Sequence, residues 1–354
     1  MKIKKIQSFL KTEKDAVIIF SEINRFYFTG FSSSDGFFII TKNDCAFFTD
    51  SRYTEAAEKA IKICPVILYT GIEKSVIPYL KEKNINNIYT ECENLTVSQF
   101  EAFKKFFDFC TVTASSELEK IIGSLRSVKE EFEISRITEA QRIAEKAFTH
   151  ILGFIKPGIT EKDIALELDF FMLKNGADGL SFETIAVSGK NSSMPHGVPS
   201  EKRIENGDFI TMDFGAVIKG YHSDMTRTVA VGKVTDEQRF VYNTVLEAQK
   251  KALSVLNPGV LCRDADKAAR DIIDNAGYKN RFGHSTGHGV GAEIHELPNL
   301  SPKSEKILEN GNIVTVEPGI YLPGKFGVRI EDMALITENG FENLTKAPKE
   351  LIVL

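Results

Sequence analysis

The sequence has few of the features that mark secreted, membrane-bound or nucleic-acid-binding proteins. Its five cysteines are an odd number, widely spread and without a CxxC pair, which argues against a disulfide framework and predicts reduced packing residues. It has no low-complexity tract and no linker rich in Pro, Gly or Ser. The apolar run nearest the start, Val17 to Phe20, is too short for a signal-peptide core or a membrane span. We therefore predict a cytoplasmic protein.

A dominant charge of one sign is also missing. The formal net charge is −5, and acidic and basic residues are interspersed. The sequence therefore offers neither a basic stripe for nucleic acid nor a polybasic patch for a membrane surface. What remains is an ordinary globular composition, 42% hydrophobic and 26% charged, over 354 residues, a length that predicts about two domains.

The predicted N-terminal domain, residues 1–122, alternates extended and helical segments. Thr96 and Gln99 have the spacing of a capping box in front of one helix. The predicted strands are 17–21, 36–41, 45–49 and 66–69, and the predicted helices include 72–83 and 97–107. This pattern indicates a mixed α/β domain.

The predicted C-terminal domain, residues 128–354, contains an internal repeat. A long amphipathic helix stops at Pro157-Gly158, and a second helix follows from Thr160 to Gly176. The same order recurs, with a helix from about Asp236 that ends at Pro258-Gly259 and another that ends at Gly277. The matching Pro, Gly, Asp and terminal Gly positions all differ by 101, which indicates a duplication.

The repeat continues into strands that carry acidic residues. The segment 207–215 matches 311–319 at an offset of 104, which aligns Asp213 with Glu317. Asp224 parallels Glu331 at an offset of 107. Because side chains alternate along a strand, Asp213 and Glu317 point away from the apolar face that packs on helices. A pseudo-two-fold axis would bring the four carboxylates together.

Four converging carboxylates need counter-charge, because each ion would otherwise carry a desolvation cost of several kcal/mol. Two divalent metal ions fit this charge. His288, in a Gly-His-Gly-Val-Gly stretch, is the expected nitrogen ligand, since its flanking glycines allow a close backbone approach. A ligand set of oxygen and imidazole without thiolate suits manganese, cobalt or zinc, and we favour manganese.

Paired metals of this kind hydrolyse amides without a protein nucleophile. Donors for the developing oxyanion and the leaving nitrogen are still required, and His196, His284 and His295 are placed to provide them. Taken singly, an acidic residue near a strand end is more often a solvated turn, and a histidine between glycines is common in loops. The repeat and the three histidines between 284 and 295 favour the combined interpretation.

These stretches resemble the metallopeptidases of the pita-bread fold, which include aminopeptidase P, prolidase and methionine aminopeptidase. The resemblance covers residues 128–354 and implies an α/β (α+β) architecture with a creatinase-like N-terminal domain and a pita-bread C-terminal domain. It rests on MDFGAVIKGYHSDMTRTV (212–229), HSTGHGVGAEIHELP (284–298), TVEPGIY (315–321) and GVRIED (327–332).

The resemblance implies a role for each site residue. Asp213 would hold one metal through both oxygens, Asp224 and Glu331 would bridge, and His288 with Glu317 would bind the second metal. Further roles implied are substrate contact and stabilisation of the tetrahedral intermediate by His196 and His295, proton movement by Glu317, and places in or behind the pocket for His284, Tyr321 and Arg329.

The N-terminal half is similar to that of the proline-specific branch, through YFTGF (27–31) and TDSRYTEAA (49–57). The resemblance therefore implies a proline-containing peptide as substrate and a homodimer. It also makes Asp50, Arg52 and Tyr53 candidates for shaping access to the site.

The resemblance leaves the type of Xaa-Pro peptidase open. A strict dipeptidase needs a cation for the free carboxylate of proline, and some prolidases have arginine where this chain has Asn299. Arg329 or a cation of the N-terminal domain could serve instead. We therefore predict an Xaa-Pro aminopeptidase, with an Xaa-Pro dipeptidase (prolidase) as the alternative. A metal-free binding protein of the same fold is the remaining possibility.

Overall fold

The computed structural model describes residues 2–354, which divide into two compact units, residues 2–126 and residues 127–354. Residues 123–127, which lie between the two predicted domains, are the end of the helix Ser116–Ser127, at the boundary of the two units. None of the helices in residues 2–354 is long and apolar enough to cross a membrane.

The first unit is a six-stranded mixed sheet with helices on both faces. The strand order is β4-β3-β2-β1-β5-β6; β2 pairs antiparallel with β1 and β3, and the other three pairings are parallel. Its elements are α1 (Lys2–Phe9), β1 (Asp15–Ile19), α2 (Glu22–Thr29), β2 (Phe37–Thr41), β3 (Cys45–Thr49), α3 (Thr54–Ala60), β4 (Val66–Leu68), α4 (Ile77–Glu82), β5 (Asn87–Thr90), α5 (Val97–Phe106), β6 (Thr111–Ala114) and α6 (Ser116–Ser127).

Successive side chains of the central strands point to opposite faces of the sheet, and both sets are apolar, so both faces are covered. Val17 and Ile19 of β1 enter one hydrophobic cluster, and Ala16 and Ile18 enter the other. Strands buried on both faces appear in the sequence as continuous apolar runs, so their extended nature is predictable.

The helices of this unit differ from prediction at one point. Residues 72–83 were predicted as one helix, but Ile72–Val76 is a π-helical turn that leads into α4. Pro78 lies in the first turn of α4 and has no amide hydrogen, so the backbone hydrogen bonds cannot run unbroken through this point. The predicted capping box at Thr96 and Gln99 is present.

The second unit begins with two helices packed on short strands. Antiparallel pairing gives two sheets, β12-β9-β8 and β11-β10-β7. The elements are α7 (Glu131–Phe154), α8 (Glu161–Lys174), β7 (Gly179–Leu180), β8 (Ile185–Ser188), β9 (Phe209–Phe214), β10 (Ala216–Ile218), β11 (Tyr221–His222) and β12 (Met225–Ala230).

Two more helices and seven strands complete this unit. The strands form a five-stranded sheet, β14-β13-β15-β18-β19, and a hairpin, β16-β17. The elements are α9 (Asp236–Ser254), α10 (Cys262–Ile273), β13 (Gly287–Gly289), β14 (Glu296–Leu300), β15 (Ile313–Val316), β16 (Gly319–Leu322), β17 (Phe326–Arg329), β18 (Asp332–Thr337) and β19 (Gly340–Asn343).

The two halves of this unit repeat the same backbone geometry. Glycines at equivalent positions share a left-handed conformation, which a side chain would strain. The pairs and their φ angles are Gly158 (95°) with Gly259 (90°), Gly176 (102°) with Gly277 (91°), and Gly207 (95°) with Gly311 (91°). The internal repeat predicted from the sequence is therefore a repeat of structure.

Backbone hydrogen bonds recur at the same offsets. The amide of Gly158 donates to the carbonyl oxygen of Ile204 at 2.9 Å, and the amide of Gly259 donates to that of Leu308 at 2.8 Å. In each half this bond ties the turn between the two helices to the loop before the carboxylate-bearing strand. The duplicated helices thus place the two strands in equivalent positions.

The hydrophobic faces of these strands fix which way the carboxylates point. Ile210, Met212 and Phe214 of β9 belong to the cluster beneath α7 and α8. Val314 and Val316 of β15 belong to the cluster beneath α9 and α10. Residues between these apolar positions must face the other way, into the interior between the two halves.

Candidate metal centre and substrate cavity

A cavity of about 510 Å³ lies in the second unit, and the residues predicted for the site line it. Both exposed and buried side chains contribute to its wall. The lining residues are Phe182, Glu183, Ile185, Pro195, His196, Asp213, Asp224, His284, Ser285, Gly287, His288, Ile294, His295, Asn299, Glu317, Arg329 and Glu331. Tyr321 is not in this lining and lies behind it, against Arg329 and His284.

A compact group of three residues could hold a metal ion. One ligand atom from each of Asp224, His288 and Glu331 lies within 4.8 Å of the others. His288 Nε2 is 3.6 Å from Asp224 Oδ2 and 3.5 Å from Glu317 Oε1. The carboxylates of Asp224 and Glu317 therefore both lie beside the same imidazole. Four of the five predicted ligands therefore meet around His288.

Asp213, the fifth predicted ligand, is oriented by a buried arginine. Arg329 Nη2 donates to Asp213 Oδ2 at 2.6 Å, and its Nη1 donates to the hydroxyl oxygen of Tyr321 at 2.9 Å. The guanidinium is only 4% exposed, so this ion pair is shielded from water. Arg329 neutralises Asp213, and no lysine or arginine within residues 2–354 forms an ion pair with the other three carboxylates.

Two threonines that were not among the predicted site residues orient two of the carboxylates. Thr226 Oγ1 donates to Glu331 Oε2 at 2.7 Å, and Thr315 Oγ1 donates to Glu317 Oε1 at 3.2 Å. Thr226 pairs across the sheet with Asp213. Alternation along β12 puts Thr226 on the same side as the site, which is the signal that would have found it.

The electrostatics of the cluster disfavour negative charge. Burial, followed by the charges of Asp213 and Glu317, raises the pKa of Asp224 well above its ordinary value. Burial, followed by Asp224 and the other carboxylates, likewise raises the pKa of Glu331, and burial raises the pKa of Glu317 to about 8. Without a cation, these side chains favour the protonated state at neutral pH.

The imidazole of His288 is suited to donate a lone pair. Burial lowers its pKa to about 4, so the ring is neutral near pH 7. Its Nδ1 lies 3.1 Å from the carbonyl oxygen of Gly289, which leaves Nε2 facing Asp224 and Glu317. A neutral ring with one nitrogen held by a backbone carbonyl is the usual form of a metal-binding histidine.

Unpartnered oxygens show that the donor set fits a metal ion. Asp213 Oδ1 and Glu331 Oε1 are buried and have no hydrogen-bond partner within residues 2–354. The neighbouring buried carboxylate, Asp332, has Arg227 at 2.8 Å and Lys349 as cationic partners. Although burial opposes ionisation, these two cations lower the pKa of Asp332 below its ordinary value. The protein therefore neutralises Asp332 but leaves Glu331 available for an external cation.

The three remaining histidines of the site differ in burial. The His284 ring is held between Tyr321 and a backbone carbonyl, with Nε2 2.9 Å from the Tyr321 hydroxyl oxygen and Nδ1 2.9 Å from the Ser285 oxygen. Burial lowers its pKa to about 3. His196 and His295 are exposed, and the His295 ring centroid lies 4.4 Å from that of His288. The two exposed rings are accessible to a molecule in the cavity.

The glycines around His288 are required by close packing. A Cβ at Gly287 would lie 1.9 Å from the carbonyl oxygen of Thr315, and one at Gly289 would lie 2.3 Å from that of Leu297. Side chains at these positions would push β13 away from its neighbours. The predicted reason for the Gly-His-Gly pattern is thus confirmed.

The N-terminal residues predicted to shape access have local partners within the first unit. Arg52 Nε donates to Asp50 Oδ2 at 2.9 Å, and the Tyr53 and Ser34 hydroxyl oxygens are 2.8 Å apart. The aspartate and arginine thus form a charge pair, largely exposed on the arginine side. Their role at an entrance stays a prediction.

Comparison with family models assigns both halves of the chain. Residues 135–338 match the model of metallopeptidase family M24, and residues 2–128 match the creatinase/prolidase N-terminal domain. The chain therefore belongs to the M24 metallopeptidases, and it is a hydrolase that acts as a peptidase. The predicted resemblance and fold class are confirmed.

Several of its relatives are named as Xaa-Pro peptidases. An Xaa-Pro dipeptidase from Bacillus anthracis is 44% identical, with a TM-score of 0.95 and coverage of 100% of this chain and 99% of that one. An Xaa-Pro dipeptidase from Pyrococcus furiosus is 39% identical over 96% of this chain and 95% of its own. An X-Pro aminopeptidase from Thermotoga maritima is 38% identical, with a TM-score of 0.90 and coverage of 96% and 97%.

Gly287→Ala should destabilise the protein and weaken metal binding. The added methyl would clash with the Thr315 backbone, and such overpacking costs about 2–3 kcal/mol in the free energy of unfolding. Urea unfolding and manganese titration would measure the two effects. Gly283→Ala is the matched control, because a Cβ there meets nothing within 4 Å. Equal stability and affinity in the two variants would contradict the packing argument.

Metal should stabilise the folded chain more at about pH 8 than at about pH 5. Folding raises the pKa of Glu317 from 4.5 to about 8, so this group stabilises the fold at low pH. That contribution is lost as the pH rises through this window. A bound cation takes the place of the protons that the carboxylates lose. At high pH fewer protons compete with the cation for these carboxylates, so the cation binds more tightly.

Thermal unfolding with chelator and with manganese, at several pH values, measures this difference. We expect the metal-induced rise in Tm to grow by about 5 °C or more between about pH 5 and pH 8. A metal-induced rise that shrinks with increasing pH would contradict the assignment of these carboxylates as metal ligands.

Proposed function

We propose that this protein is a metal-dependent Xaa-Pro dipeptidase. The observation that supports this most directly is the cluster of Asp224, His288 and Glu331, with Glu317 beside it, in a cavity large enough for a small peptide. The named activity of relatives that align along nearly the whole chain supports the dipeptide as substrate.

The proposed cofactor is a pair of divalent metal ions, with manganese favoured over cobalt or zinc. Asp213, Asp224 and Glu331 would hold one ion, and Asp224, His288, Glu317 and Glu331 the other. Such ions would lower the pKa of an attacking water and polarise the scissile carbonyl. The buried oxygens that lack a protein partner, Asp213 Oδ1 and Glu331 Oε1, are consistent with this ligand set.

The protein's own groups would position the peptide and move protons. Glu317, with Oε1 fixed by Thr315, would exchange a proton with the attacking water. His196 and His295, both exposed to the cavity, would donate hydrogen bonds to the substrate and to the oxygen that gains charge. His284, Tyr321 and Arg329 form a hydrogen-bonded group that would hold Asp213 in place.

An Xaa-Pro aminopeptidase is the second candidate, favoured by the charge of the cavity wall. Arg329 is the only lysine or arginine of residues 127–354 that lines the cavity, and it is already bonded to Asp213, Tyr321 and the Pro195 carbonyl. Asn299 lines the cavity without a positive charge. A free proline carboxylate therefore needs a histidine, a backbone amide or a group outside residues 127–354. We place more weight on the relatives, and propose the dipeptidase. A homodimer and a cytoplasmic location complete the proposal.

Loss of a shared metal ligand should abolish turnover. We expect Asp224→Asn or Glu331→Gln to reduce kcat/KM to the background of the assay, because each removes a charge that would contact both ions. His295→Ala is the contrasting variant, and should lower kcat/KM about a hundredfold while metal remains bound. Metal analysis and steady-state kinetics separate the two classes. Normal turnover in Asp224→Asn would refute the proposed site.

Peptide length should decide between the two specificities. With manganese present, we expect kcat/KM for an Xaa-Pro dipeptide to exceed that for the same peptide extended by one residue by about tenfold or more, because only the dipeptide presents the proline carboxylate. An amidated Xaa-Pro dipeptide is the control for the carboxylate. A clear preference for the longer peptide would replace this proposal with the aminopeptidase.

A further inference from the structure

A fully buried carboxylate lies outside the metal-ligand cluster, at the start of α8. Glu161 is 0% exposed, yet no lysine or arginine within residues 2–354 forms an ion pair with it. A buried carboxylate without a cation is stable only if hydrogen bonds replace its hydration. The identity of its hydrogen-bond donors therefore indicates what the residue does.

All the side-chain hydrogen bonds of Glu161 come from one segment, residues 188–200, which we call the His196 loop. Its Oε1 accepts from the Ser188 amide at 2.6 Å and the Ser188 hydroxyl at 2.9 Å. Its Oε2 accepts from the Ser200 hydroxyl at 2.6 Å and the Ser200 amide at 3.0 Å. Asn191 Nδ2 donates to both oxygens, at 3.1 and 3.2 Å. One carboxylate thus connects both ends of the loop and the 3₁₀ turn Gly189–Ser193 within it.

The position of His196 depends on this loop, because the ring has no hydrogen bond of its own within residues 2–354. His196 lies between the anchored residues Asn191 and Ser200 and lines the cavity. On the cavity side, Arg329 Nη1 donates to the Pro195 carbonyl at 3.2 Å, and the Gly327 amide donates to Ser192 Oγ at 2.9 Å. The loop is therefore held between Glu161 and β17.

The internal repeat provides a comparison for Glu161. The Glu161 amide donates to the Lys202 oxygen at 3.1 Å, and at the equivalent place the Cys262 amide donates to the Lys306 oxygen at 2.8 Å. The Cys262 side chain is fully buried, and burial raises the pKa of its thiol to about 11, so it is neutral. Backbone hydrogen bonds therefore suffice to join helix and loop in the second half. The added reach of Glu161, to Ser188 and Asn191, is specific to the half that carries His196.

We propose that Glu161 is a positioning residue for His196: it fixes the His196 loop so that the imidazole meets the substrate in the cavity. This inference rests on the proposed function in treating His196 as a substrate contact. Glu161 itself touches neither the metal ligands nor the cavity, so it acts only through the loop.

Glu161→Gln tests this directly. Glutamine keeps the size of the side chain but turns one acceptor oxygen into an NH₂ group that faces hydroxyl, amide and backbone donors. With the manganese-loaded enzyme and an Xaa-Pro dipeptide, we expect kcat/KM to fall about tenfold or more, while the metal content is unchanged. Normal kcat/KM in a folded Glu161→Gln protein would overturn the proposal.

A double-mutant cycle separates positioning from general destabilisation. If Glu161 acts through His196, then Glu161→Gln should change kcat/KM less than about twofold in a His196→Ala background. An equal loss in both backgrounds would overturn the proposal. Asp163→Asn is the matched control, since Asp163 caps the same helix turn from its exposed side, with Oδ2 2.8 Å from the Thr160 amide. It should leave kcat/KM within about twofold.

Hydrogen exchange gives a readout that does not need activity. Amides in residues 189–200 should exchange faster in Glu161→Gln than in the wild type, while those of α7 are unchanged. If the wild type hydrolyses no Xaa-Pro peptide, the proposed function fails, but the exchange still decides whether Glu161 holds the loop. Unchanged exchange in the loop would overturn this inference. If Glu161→Gln does not fold, Ser200→Ala removes one donor and is measured in the same way.

Discussion

The main constraint on the second unit is that four carboxylates lie buried around one point. The protein supplies too few cations there to neutralise them. Asp213, Asp224, Glu317 and Glu331 carry four formal charges, and Arg329 supplies one positive charge, which leaves a formal excess of three. Burial raises the pKa of Asp224, Glu317 and Glu331. This arrangement is stable only with protons or metal ions in place, so the strands that carry it must be held by packing elsewhere. The clusters beneath the two helix pairs provide that packing.

The duplicated fold supplies this packing twice, and function arises where the two copies differ. Val187 of β8 pairs with Thr211, and His288 of β13 lies opposite Thr315, to whose hydroxyl its amide donates. These are equivalent places, since Thr211 and Thr315 differ by the same offset as the two strands. One copy has a buried valine there, and the other has the imidazole of the metal-ligand cluster. Both copies share the same backbone arrangement, and the exchange of one side chain, valine for histidine, gives the second copy a possible metal ligand.

The sequence predicts more of the framework than of the contacts. Apolar runs identified the strands of the first unit, the repeat aligned the carboxylates, and the glycines marked His288, because each of these signals is present in the order of the residues alone. Thr226, Glu161 and the apolar wall formed by Phe182 and Ile185 were not predicted, since their roles depend on partners distant in sequence. From the sequence alone, Glu161 has the pattern of a surface residue of a helix. Only the fold shows that the His196 loop packs against it. The π-helical turn at 72–76 was likewise missed, because helical periodicity does not distinguish hydrogen-bond patterns over a single turn.

The charge of the site also affects whether the cavity can accept the free carboxylate of a dipeptide. A dipeptide brings a free carboxylate into a cavity whose wall already holds five acidic side chains and a single arginine, which is bonded to one of them. Coulomb repulsion would disfavour that end in the metal-free protein, whereas two divalent cations would reverse the sign of the local field. Metal loading would then govern both the hydrolytic step and the binding of an anionic substrate. A longer peptide carries its carboxylate further away, so its binding should depend less on the charge at the centre.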